Sequence, residues 1–178
     1  MMVRRKQVRA AAEKLLERVG CETAPVPVVQ IARLLGVAVH HSPVDDDDLS
    51  GFLYHNRKNS TFVIGVNDSH HPNRQRFTIA HELGHLVLHD MDDIHVDRGF
   101  SVRLRSGASG EGRNIEEKEA NLFAAELLMP RRFLEEDIAA IDAVDLVEED
   151  VIAKLARRYG VSTQAMTFRL GYLGFVQL

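Results

Sequence analysis

Cysteine is nearly absent from this 178-residue chain, Cys21 being the only one. No internal disulfide can form, and a cytoplasmic address follows as the default expectation. There is also no apolar run long enough to span a bilayer. The opening residues are basic and lead into Ala10-Ala11-Ala12, but Glu13 and Lys14 interrupt at once, which excludes the apolar stretch of a secretory signal. The chain therefore reads as soluble. Excess positive charge is missing too. Lys and Arg number 22 against 26 Asp and Glu, and a net charge of -4 does not announce a nucleic-acid binder. No internal repeat of useful period is present. What remains, 45% hydrophobic and 27% charged residues, suffices for one compact domain with a small helical appendage.

The informative feature is His81-Glu82-Leu83-Gly84-His85, an HExxH motif inside an apolar run. On a helix, positions four apart lie one turn above each other, so both imidazoles can reach a single ion while Glu82 stands beside it. The bare motif arises by chance in about three chains per hundred of this composition, so its flanks must decide. Wound as a helix, residues 75–89 put Phe77, Ala80, Leu83, Gly84, Val87 and Leu88 on one broad side and Ile79 and Leu86 on another. Thr78, His81, Glu82, His85 and His89 form the polar strip left over. A helix buried nearly all round, with one hydrophilic strip, fits a metal-bearing cleft better than solvent. Three imidazoles and a carboxylate buried as ordinary core residues would need many hydrogen-bond partners.

A catalytic zinc takes three protein ligands and leaves a fourth position open. His89 lies eight residues beyond His81, a rise of roughly 12 Å, too far for both rings to meet one ion. The longer HExxHxxGxxH pattern fails as well, because Leu88 and Met91 stand where it needs Gly and His. His89 is expected instead at the cleft wall, behind a ligand. The third ligand is expected on a second helix beginning near Ile115. There the apolar stripe of Ala120, Phe123, Ala124, Leu127 and Leu128 turns Glu116 and Glu117 inward and leaves Glu119 off the stripe. Periodicity does not choose between Glu116 and Glu117. Glu117 has a polar residue, Asn121, one turn on to hold a ligand in place, whereas Glu116 is followed by Ala120, so the spacing points to Glu117.

The run from Thr78 to His89, followed after a Gly/Ser-rich gap by Glu117, Ala120-Asn121, Phe123-Ala124-Ala125-Glu126-Leu127-Leu128-Met129-Pro130, resembles the ImmA/IrrE family of metallopeptidases. Val26-Pro27-Val28 with Ile31-Ala32-Arg33-Leu34-Leu35-Gly36 is similar to the family's opening helices, and Tyr159-Gly160-Val161-Ser162 with Arg169-Leu170 to its helical tail. The resemblance implies a regulator that cuts a helix-turn-helix repressor and so releases repressed genes in an immunity, mobile-element or stress response. It also supports Glu117, since the family keeps a Glu four residues before the Asn or Asp of this motif.

The expected fold class is α+β. A small mixed or antiparallel sheet of about three strands packs on the HExxH helix, in a zincin-like arrangement, with N-terminal helices and a helix-turn-helix-like tail. Helices are expected over residues 6–19 and 28–35, the second ending at Gly36, and β-rich segments over 37–39, 51–54 and 62–66. Asp45 to Asp48 reads as a solvated loop. Residues 100–105 alternate apolar and basic, as a strand that either aligns an extended substrate at its edge or simply joins two helices, and 106–112 read as a flexible loop. A helix over 145–159 and another from Thr163, capped by Ser162, complete the tail. That second helix offers only Gln164 and Arg169 toward a DNA groove, so direct DNA binding is not the leading expectation. The expected domains are residues 1–140, peptidase-like, and 141–178, helical.

Two functions remain in view. The first is a zinc endopeptidase with His81, His85 and Glu117 on the ion and Glu82 as general base, one ion per chain, manganese or another divalent metal being an alternative occupant. Tyr54, His89 and His95 are its candidate donors to the developing oxyanion. The second is a non-catalytic, metal-stabilised regulator whose C-terminal helices bind DNA or a protein. A purely structural ion has no need of a carboxylate such as Glu82 beside it.

Overall fold

A computed structural model of the chain describes residues 2–46, 48–89, 94–98, 111–139, 141, 146 and 148–177. Two N-terminal helices, α1 (Arg5–Arg18) and α2 (Val28–Leu34), lead into β1 (Val37–Ser42), β2 (Leu49–Asn56) and β3 (Thr61–Asn67). The long helix α3 (Pro72–Leu88) is followed by β4 (Ile94–Arg98) and a second long helix, α4 (Glu111–Leu128). Three shorter helices finish the described chain: α5 (Arg131–Ile138), α6 (Glu149–Tyr159) and α7 (Thr163–Leu173). None of the described helices is long and apolar enough to cross a membrane.

The α+β class is as expected, but the described sheet has four strands rather than about three, in the order β1-β3-β2-β4. It is mixed: β1 runs parallel to β3, and β2 runs antiparallel to both β3 and β4. The added strand, β4, has only five residues, too few for alternation to stand out from a loop. The strand expected at 100–105 lies outside the described residues. The loop expected through residue 112 ends earlier, because α4 already begins at Glu111. In the tail, α6 begins at Glu149 rather than at Asp145, which is not among the described residues.

Local chemistry fixes the helix that carries the motif. Pro72 occupies the first turn of α3, where its missing N–H costs nothing, and the His71 side chain accepts a hydrogen bond from the Asn73 amide at 3.2 Å. Thr78 through His85 are all buried, because α3 lies with the sheet on one side and α4 on the other. Burial fades at the C-terminal end, where Val87 is 39% exposed although its helical phase matches the core side.

Two glycines permit this sandwich. A Cβ on Gly51 of β2 would stand 2.6 Å from the Thr78 methyl, so the strand can touch α3 only because it lacks one. A Cβ on Gly84, inside the motif, would stand 3.0 Å from the Ala120 Cα of α4 and 3.2 Å from its carbonyl oxygen. The two long helices thus approach nearly backbone to backbone. That proximity brings side chains of α4 within reach of the motif.

The C-terminal helices join the same apolar core, through Ile152, Leu155, Tyr159, Met166 and Leu170. Polar anchors fix their position. Arg76 of α3 donates to the carbonyls of Gly160 and Val26, and Asn73 donates to that of Val161 at 2.8 Å. Arg169 of α7, 3% exposed, makes a two-pronged ion pair with Glu126 of α4 and donates to the Met129 carbonyl at 3.0 Å. One of the two side chains that a recognition helix might have offered to DNA is therefore spent inside the protein.

Candidate metal centre

His81 and His85 stand one turn apart on α3, and Glu117 reaches them from α4. The three offer ligand atoms that all lie within 4.8 Å of one another. In detail, His81 Nε2 and His85 Nε2 are 3.1 Å apart, and the Glu117 oxygens lie 3.4 Å from the first and 3.6 Å from the second. Ligands about 2.0–2.1 Å from a tetrahedral zinc stand roughly 3.3 Å from one another. The spacing of this trio therefore fits one ion of that size.

The outer contacts fix which ring nitrogens carry protons. His81 Nδ1 donates to Asn121 Oδ1 at 3.0 Å, so its Nε2 presents a lone pair. His85 Nδ1 lies 3.3 Å from His89 Nδ1, and His89 Nε2 lies 3.1 Å from Glu119 Oε2. A carboxylate only accepts, so His89 donates through Nε2, and a neutral His89 then accepts at Nδ1 the hydrogen bond that His85 donates from its own Nδ1. The Nε2 of His85 is then also a bare lone pair. Two lone pairs and a carboxylate aimed at one point are the donor set of a divalent cation. Electrostatics agree: burial first, with the neighbouring imidazoles, pulls His85 down to about 4 despite Glu117, so the ring is neutral at pH 7.

Glu82 is completely buried beside this trio, and one of its oxygens accepts a hydrogen bond from His95 Nδ1 at 3.1 Å. The other nitrogen of His95 donates to Glu117 at 2.9 Å. Burial alone would lower the His95 pKa, yet its bonds to the two carboxylates raise it to about 9, so the ring is a cation that bridges them.

The three candidate oxyanion donors part company here, and strand register is the reason. His95 pairs with Leu53, which faces the core and α3, whereas Tyr54 pairs with Ile94 and lies on the opposite face of the sheet, 39% exposed. His89 lies behind His85, meeting its Nδ1 on the side of the ring away from the trio. Only His95 stands at the trio.

Helical phase misjudged two of the acidic residues. Glu116, expected to turn inward, is exposed, and Glu119, expected off the stripe, is 1% exposed. The cause is that α4 is covered twice, by α3 on one side and α1 on another. Glu119 faces the seam with α1, where Arg4 donates to it from its backbone N at 2.7 Å and from its guanidinium. Neither Arg4 nor the bridging of His95 has a signal in the local sequence, since both depend on contacts distant along the chain.

A family model described as an IrrE N-terminal-like domain matches residues 32–171, the span that builds this centre. The chain belongs to the ImmA/IrrE family of metallopeptidases. It is 32% identical over 109 residues to the radiation response metalloprotease IrrE of Deinococcus radiodurans, a match that covers 61% of this chain but 30% of that protein. With the metallopeptidase ImmA of Bacillus subtilis it shares 26% identity over 125 residues, covering 70% of this chain and 64% of the relative. The IrrE of Deinococcus deserti is 32% identical over 109 residues, which is 35% of its length, so the chain spans about a third of the IrrE proteins it matches. Among solved structures, a Mycobacterium tuberculosis transcriptional regulator superposes with a TM-score of 0.62 at 23% identity, over 93% of this chain and 46% of the other. That likeness is one of fold.

Proposed function

We propose that this protein is a zinc-dependent endopeptidase in which His81, His85 and Glu117 hold the ion and Glu82 is the general base. The observation that carries this reading is the convergence of two imidazole lone pairs and a carboxylate with a second, fully buried carboxylate alongside. Family membership supports it. When bound, the ion would polarise the scissile carbonyl and lower the pKa of water toward about 7.

The chain's own groups do the rest. Glu82 takes a proton from the attacking water and later delivers it to the leaving amine. The bond from His95 orients that carboxylate. The second N–H of His95, on Nε2, rests on Glu117 and would turn from it to the carbonyl oxygen as negative charge develops there. Asn121 and His89 hold the two ligand rings so that their lone pairs face the ion.

The finer reading is that the substrate is a helix-turn-helix repressor, cut to release genes of an immunity, mobile-element or stress response. It rests on membership of the ImmA/IrrE family and on the names of the relatives, and it makes the cytoplasm the site of action. Residues 1–140 would then form the peptidase part and 141–178 a helical subdomain packed upon it, a division supported by the anchors from Asn73, Arg76 and Glu126.

Glu82→Gln tests the mechanism. With a helix-turn-helix repressor that the wild-type protein cleaves as substrate and zinc present, cleavage should fall by about 10²–10⁴-fold while zinc content stays at the wild-type level. Equal cleavage by both forms would remove the role given to Glu82.

A further inference from the structure

We propose that Glu119, clamped by Arg4, acts through His89 as a positioning residue that fixes the His85 ring for metal binding. The proposal rests on the metal reading above and adds residues that neither the motif nor the family match identifies. Its links are all short. Glu119 of α4 receives the Arg4 backbone N–H at 2.7 Å, its Nε–H at 3.0 Å and a further bond from Nη2. The other partner of Glu119 is His89 Nε2, at 3.1 Å, and His89 Nδ1 meets His85 Nδ1 at 3.3 Å.

Proton bookkeeping gives the chain a direction. Glu119 can only accept, which orients His89; with that ring neutral, its Nδ1 accepts from His85 Nδ1–H, and Nε2 of His85 is free for an ion. Nothing else within this chain of contacts fixes that tautomer. Asn121 performs the same service for His81 with one side chain. Arg4 also donates to the Leu88 carbonyl at 3.3 Å, so one N-terminal residue touches the end of α3 and the middle of α4 together. The plain alternative is that Arg4 and Glu119 merely tie α1 to α4. A tie of that kind would affect stability but leave metal affinity untouched.

Metal affinity therefore separates the two. We would titrate zinc into the 178-residue chain against a chromophoric chelator, after confirming by circular dichroism that each metal-free variant is folded. E119Q and H89F should weaken zinc binding by about tenfold or more, the range seen when outer partners of metal ligands are lost. R4M, which leaves the carboxylate in place, should weaken it only severalfold. H89N restores an acceptor near the Nδ1 position and should recover most of what H89F loses. The cobalt-substituted forms of E119Q and H89F should show shifted ligand-field bands. If E119Q and H89F bind zinc like wild type, the proposal is overturned and the tie is structural. If both fail to fold, R4M and H89N decide, and wild-type affinity in R4M with no advantage of H89N over H85A overturns it. A wild-type chain that binds zinc no better than H85A would instead overturn the metal reading itself.

Discussion

At the scale of single residues, the centre depends on where protons sit. The convergence of His81 and His85 was legible because a four-residue spacing on a helix brings both rings to one point whatever the rest of the fold does. Glu117 was legible from its spacing to Asn121, although the reason, a bond from His81 to that amide, is visible only in three dimensions. His95 was one candidate among three, and no local pattern could rank it, since cross-strand pairing with Leu53 decides which face it occupies. Its proposed role predicts a separable defect. H95Q removes the cation and should lower kcat by about 10²–10³-fold with little change in KM and none in zinc content. Steady-state cleavage alongside metal analysis measures this, and an unchanged kcat would return the oxyanion donor to the unassigned list.

At the scale of elements, the contact between α3 and α4 turns an HExxH helix into a complete trio. Glu117 lies on a helix that begins 26 residues after the end of the motif, and it reaches the histidines because Gly84 has no side chain to hold the helices apart. G84A would push a methyl to 3.0 Å from the Ala120 Cα. Overpacking of this kind costs about 1–3 kcal/mol, so the thermal midpoint should fall. Zinc affinity should fall with it, because any outward shift of α4 lengthens the reach of Glu117, and chelator competition would detect this. The misplacement of Glu116 and Glu119 belongs to the same scale. A single apolar stripe describes a helix with one neighbour, and α4 has two.

At the scale of the whole molecule, the C-terminal helices are locked to the helix α4 by a buried charge pair. Arg169 and Glu126 are 3% and 4% exposed, and breaking one side of such a pair leaves the other charge stranded. R169M should therefore destabilise the fold by about 3 kcal/mol, at the low end of the usual range because Arg9 lies 3.5 Å from Glu126 and remains to it. Urea denaturation of the two proteins checks this; equal midpoints would mean that the tail contributes no stability through this pair. By itself the sequence determined the helices other than α5, the strands β1 to β3, the motif histidines and the family, because each rests on periodicity or spacing within one continuous segment. Tertiary structure alone decided the short strand β4, the orientation of His95, the burial of Glu119 under Arg4 and the seat of Arg169. Each of these depends on residues far apart in the chain meeting at a packed surface, and local patterning carries no record of such meetings.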